Sequence, residues 1–478
     1  MRYENWNSAP SGVLYECKIT LSVDDNEDIM LVKLKKYVSD YKCEVEILQG
    51  VYNDENEIKE SVTDNWEIEA WNDEYGYPST VAFTSGDRLA FAGTQKQPQT
   101  VWLSAVSDYN NFYNDTQADS ALTWTIATNL YNSINWILNT KKLLIGLSNQ
   151  IGILKAKNEN EPLTIDNREY LPEIDISASH LQPVRIGEAM LLLRRGNQTL
   201  LELSYDWEAE GYVAPDMTLL APDILESGVV QYAYQKLPYP VVWFVLANGN
   251  LVSFTYNRGE NVTAWARHSS NGGLFKSVAI LENDNNSDDV YFAVERNGRY
   301  YIELMAKNGE DIYTDCTVKL APVSKGSDVQ LKHIKSAEAA LVIDGGAYSV
   351  KVNSEGRFTM PERGSIITCG YAVKSYLETL PFEMMNGNES TLANKKICQN
   401  LLVKFHKSVG GEFSLDGKNY SKVISRNIQM PIDSGVEPKS VTADLSLKSS
   451  YQYETAIYFR HDLPLPLTLL AFEIDMMI

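Results

Sequence analysis

Glu67 and Glu69 stand two residues apart in a strand-like run, so both carboxylates would face one side of a strand, as paired acids do in glycoside cleavage. Among 63 acidic residues such pairs arise by chance, and catalysis at this pair is not expected. The loop ENDNNSDDV alternates Asp284, Asn286 and Asp288 and brings Glu295 to the twelfth position, the order of a calcium-binding loop. Asp289 sits where that loop needs glycine, and the flanks read as strands, so a solvated hairpin loop without metal is expected.

Other reactive groupings are missing. The chain has no phosphate loop of the G-x-x-x-x-G-K-S/T type, no G-x-G-x-x-G between strand and helix and no G-x-S-x-G elbow. Cys17, Cys43, Cys316, Cys369 and Cys398 are scattered and odd in number, which argues against a disulfide framework and against zinc. The five histidines are equally dispersed. The expectation is a chain without catalytic, cofactor-binding or metal-binding residues, and not an enzyme.

Composition sets the class. Of 478 residues 44% are hydrophobic and 22% charged, as in folded proteins, and 28 are tyrosines, which favour strands. The formal charge of −21 disfavours a grip on nucleic acid or anionic membrane, since DNA binding needs cations at the phosphates. The same acidity suits the wall of a conduit through which DNA must slide. Neither a basic and apolar leader nor an apolar run of the roughly 18 residues a membrane helix needs is visible, so a soluble chain made in a cytoplasm, without a membrane-spanning segment, is expected.

What would position any site is an internal repeat. LLIGLSNQIGILKA, MLLLRRGNQTLLELSY, VVWFVLANGNLVSFTYN, VYFAVERNGRYYIELM and AALVIDGGAYSVKV begin at Leu143, Met190, Val241, Val290 and Ala339, 47 to 51 residues apart. Each has an apolar strand, a Gly or Asn turn and a second apolar strand. Asn248-Gly249, Asn297-Gly298, Gly345-Gly346 and Gly196-Asn197 are residues that accept the positive φ of tight hairpin turns. RLAFAGTQKQPQTVWLSAV, starting at Arg88 and 55 residues before Leu143, is a sixth unit with a longer turn around Gly93 and Pro98. A hairpin-rich period near fifty is that of a β-propeller blade.

Between the first two units, Leu122, Ile126, Leu130, Ile134 and Ile137 recur every three or four residues, and Thr116 with Asp119 makes a capping-box-like start, predicting one helix at about 116–138. The expected fold is all-β: a six-unit β-propeller with that inserted helix over residues 75–360, an N-terminal β region over 1–74, and a C-terminal β-domain over 361–478. SLDGKNY, residues 414–420, is a lone look-alike of the sialidase S-x-D-x-G-x-T-W box. Aromatics near turns, Trp66, Trp71, Tyr75 and Tyr77 among them, are expected to fill the spaces between sheets.

One ordered series resembles the tail nozzle proteins of short-tailed bacteriophages, also called tail tubular or tail stabilisation proteins. It runs Gly76-Tyr77-Pro78, Arg88-Leu89, Gly93-Thr94, Pro98-Gln99, Trp102, Ser104, Asp108-Tyr109 and Phe112. Trp243, Leu251, Thr255-Tyr256, Ala264-Trp265 and His268 match a second stretch, and RYYIELM, GYAVKSYLETLP and DLPLPLTLLAF also look like their counterparts. The resemblance implies a structural virion protein of the tail, a homo-hexamer below the portal and its adaptor ring with distal tail or fibre proteins beyond, whose lumen passes phage DNA without binding it specifically. Such a protein is made in the cytoplasm of the host bacterium. The alternative is a β-propeller that binds carbohydrate at the host surface.

Overall fold

The computed structural model describes residues 16–477 except 24–25, 40–41, 50–65, 69–70, 72–74, 113–116, 129–130, 141, 159–160, 162, 209, 284–285, 308, 384, 387–388, 392–393, 425–436 and 448–449. The fold is all-β and of the propeller type: all six hairpins read from the sequence form, and each belongs to its own antiparallel sheet. Two compact units are present, Met1–Gly228 and Val229–Ile478.

The first unit holds three four-stranded meanders. They comprise Thr80–Phe83, Leu89–Ala92, Thr100–Leu103 and Leu122–Thr125; then Ile134–Asn139, Leu143–Leu147, Ile151–Lys155 and Glu169–Ile174; then Val184–Ile186, Ala189–Leu193, Leu200–Asp206 and Gly211–Val213. The middle strands are largely apolar, and with residues of the flanking strands they fill two cores. Ala90, Val101, Leu122, Ile126, Ile137 and Ile145 pack in one; Trp136, Leu144, Ile153, Met190, Leu192 and Leu203 pack in the other.

Gly146 lies opposite Trp136 across the ladder, and a Cβ there would come within 2.1 Å of the indole, so only glycine leaves room for the ring. A separate sheet of Glu16–Val23, Asn26–Ser39, Lys42–Gln49 and Trp66–Ile68 makes up the N-terminal β region.

The inserted helix is corrected: among the described residues no helix forms. Leu122–Thr125 and Ile134–Asn139 are strands of two different sheets. Leu122, Ile126, Ile134 and Ile137 are all buried in one core, so their helix-like spacing comes from two strands converging on the same space. Local composition agrees, because Thr123, Trp124, Thr125 and Ile126 are β-branched or aromatic. Thr116 and Leu130 lie outside the described residues.

The second unit continues with Val229–Gln235, Val241–Leu246, Leu251–Asn257 and Val262–His268, and with a three-stranded sheet of Gly273–Leu281, Asp289–Arg296 and Arg299–Leu304. In the sixth sheet Ile367–Ala372 is inserted between Thr314–Leu320 and the hairpin Ala337–Ile343 and Gly346–Val352. Its turn is Asp344-Gly345, both with positive φ, one residue before the Gly345-Gly346 expected, because Ile343 pairs with Gly346. A β-sandwich follows. One sheet runs Ser375–Glu378, Tyr458–His461, Gly410–Ser414 and Ser421–Ile424; the other runs Lys439–Ser446, Ile397–Ser408 and Leu469–Met477. Leu401, Val403, Phe405, Phe413, Ile457 and Phe459 form the core between them.

Candidate functional site

The ordered series from Gly76 to Phe112 gathers in one corner of the first unit, and its centre is Arg88. This side chain is 4% exposed, and its guanidinium donates to the carbonyls of Ser104 at 2.7 Å, Ala118 at 2.9 Å and Ser120. Burial pulls its pKa below the ordinary arginine value, against the opposing pull of the Asp119 carboxylate. Ser104 is fully buried, and its hydroxyl accepts the Leu89 amide at 2.9 Å. Arg88 therefore ties the second strand of the sheet to the loop that leads into the fourth.

The remaining positions close the same corner. Gly93 has φ of 68°, and a Cβ would meet the Ile134 carbonyl at 2.8 Å. Ile134 in turn donates its amide to the Pro98 carbonyl at 2.8 Å. The Gln99 side-chain amide donates to the Ile126 carbonyl and to the Thr128 hydroxyl, holding the stretch that follows the fourth strand. Trp102 is buried, and Trp71 packs at 4.9 to 5.7 Å on the rings of Phe91, Trp102 and Phe112. Asp87 accepts from Ser107 and Tyr109, and these hydrogen bonds hold its carboxyl below the usual range. The Asp108 carbonyl accepts the Asn111 amide in a turn, Gly76 has φ of 81°, and Tyr77 beside Pro78 is exposed. Arg88 thus holds the corner by hydrogen bonds, and Trp102 by packing.

The second stretch comes together in the other unit around a few buried residues. Trp243 donates its indole N–H to Gln235 at 3.0 Å and lies 5.2 Å from the His268 ring, while the Phe254 and Trp265 rings meet at 4.3 Å, tilted by 31°. Leu251 and Tyr256 are buried. The His268 ring pairs with the Ser253 hydroxyl at 2.7 Å, and burial holds the imidazole below its ordinary value. Its folded pKa lies under the unfolded value near 6.5, so the unfolded chain binds more protons as the pH falls. The contribution of His268 is complete above that value and is lost as the pH drops below it. Stability should fall as the pH drops below about 6.5, and His268→Phe should flatten that part of the profile. Urea unfolding at a series of pH values checks this; an unchanged slope in the variant rules it out.

The calcium-like loop commits its groups elsewhere. Asp288 accepts the amides of Lys236 and Leu237, Asp289 pairs with Lys307, and Glu295 pairs with Lys276 at 3.0 Å. Asp284 and Glu69 lie outside the described residues, as does the Glu67 side chain. Among the described residues no cluster of three candidate metal ligands occurs. The SLDGKNY segment forms a local turn: Asp416 accepts from the Ser414 hydroxyl and from the amides of Lys418 and Asn419, closing a hairpin.

Sequence reasoning missed a buried charged cluster. Arg296 is 4% exposed, makes two hydrogen bonds to Glu303 at 2.7 and 2.9 Å, reaches Asp315 at 3.1 Å and stands over the Tyr371 ring. Asp315 also accepts the Ser270 hydroxyl and the Asn271 amide. Burial pushes the neighbouring Cys316 thiol up to about 12, with Glu303 adding to the rise, so it remains a thiol at neutral pH.

No protein-family model matches the chain, and no curated protein sequence does. Solved structures with a distant likeness include a Lactobacillus plantarum protein, at 7% identity and a TM-score of 0.30 over 74% of this chain and 99% of that one. A putative 6-phosphogluconolactonase from Bacteroides fragilis has 9% identity and a TM-score of 0.29, over 75% and 98%. A periplasmic gluconolactonase from Pseudomonas aeruginosa has 9% identity and a TM-score of 0.22, over 74% and 98%. The expectation that the chain is not an enzyme is corrected here: two of these three structures are named as lactonases, so the exclusion of catalysis does not stand. Among the described residues no helix is long and apolar enough to cross a membrane.

Proposed function

We propose that the chain is a structural virion protein, a subunit of a bacteriophage tail nozzle that assembles as a homo-hexamer below the portal-adaptor ring and forms a channel for genome ejection. The observation that carries this reading is the ordered series from Gly76 to Phe112. Its residues act together as one scaffold corner, with Arg88, Gly93, Gln99, Trp102 and Phe112 each holding a different part of it. The net charge of −21 supports a lumen along which DNA slides without adhering. Purified protein should give hexameric rings by native mass spectrometry and negative-stain imaging. A strict monomer at high concentration that also makes no ring contacts in the virion sinks the reading.

One observation favours carbohydrate binding as a second reading. Trp207 is 81% exposed and packs edge-on against Tyr205, which meets Tyr212 the same way, so aromatic faces are open to a sugar ring. Failure of the protein to bind any glycan on an array counts against it.

A further inference from the structure

Among the described residues, two different strands lie at the ends of one sheet of the C-terminal sandwich. At one end, all four residues of Ser375–Glu378 are exposed. Leu377 lies opposite Phe459, on the face that covers the core, yet it is 44% exposed while Phe459 is 6% exposed. The core is therefore open beside this strand. At the other end Ser421 and Lys422 are exposed, and Val423 packs on the edge of the same core. Edge strands carry unpaired backbone donors and acceptors, and a sheet edge with apolar side chains is a template for another strand.

The two ends fit each other. The four strands alternate in direction, so the sheet of a second copy placed edge to edge would continue the antiparallel pattern. Glu412 pairs with both Lys422 and Arg460, and Arg460 pairs with Tyr376, which puts Lys422 on the outer face with Tyr376 and Glu378. Leu377 and Val423 lie on the core face. Registers that match the faces differ by two residues, and among them the one that sets Leu377 opposite Val423, apolar against apolar, also sets Glu378 opposite Lys422.

We propose that the Ser375–Glu378 strand of one copy pairs antiparallel with the Ser421–Ile424 strand of a second copy in this register. Contact between two different edges is heterologous and repeats head to tail, which closes into a ring when the rotation permits. The pairing deepens the ring assembly in the proposed function and rests on it.

The test is charge reversal followed by sedimentation velocity over a concentration series, with circular dichroism to confirm folding. Glu378→Lys and Lys422→Glu should each weaken assembly about tenfold, since like charges then face each other. The double variant Glu378→Lys/Lys422→Glu restores opposite charges and should assemble within about threefold of wild type. A double variant as weak as the singles overturns the pairing, and so do singles that assemble like wild type while wild-type rings form. A wild type that stays monomeric overturns the assembly reading together with the pairing.

Discussion

Replacing Arg88 with methionine is expected to lower the stability of the first unit by about 3 kcal/mol, because three carbonyl acceptors lose a charged donor within a buried corner. Methionine fills much of the same volume, so the loss reports the hydrogen bonds more than a cavity. Arg88→Lys should recover only part of the loss: a single ammonium cannot present two nitrogens to carbonyls in different directions. Denaturant unfolding followed by tryptophan fluorescence reads the effect, since Trp71 and Trp102 lie in the same corner. A loss below about 1 kcal/mol would show that solvent replaces the guanidinium at little cost.

The sequence makes the hairpins legible because turn chemistry and strand pattern are local. Asn297-Gly298 supplies two positive φ angles, and the apolar runs on either side pair around it. The helix expectation failed because Leu122, Ile126, Ile134 and Ile137 share a core without sharing an element, and spacing cannot separate those cases. In the corner around Arg88, the residue types were visible but their partners were not. Ser120 and Ala118 lie about thirty residues downstream of Arg88, so only the folded sheet brings their carbonyls to it.

Arg296 shows the same limit with larger energetic consequences. Glu303 is near in sequence, but Asp315 comes from the strand Thr314–Leu320, and no local pattern marks the three as a group. Arg296→Met should cost about 3 to 5 kcal/mol, as it leaves two partly buried carboxylates facing a site without their cation. Glu303→Gln in that background removes one of the two charges and should return part of the loss. Adding Asp315→Asn should return more, although the Ser270 and Asn271 contacts to Asp315 are then weakened. The urea midpoints of the single, double and triple variants test this order. If Arg296→Met alone is as stable as the triple variant, the arginine is not neutralising the carboxylates, and the cluster contributes packing rather than charge balance.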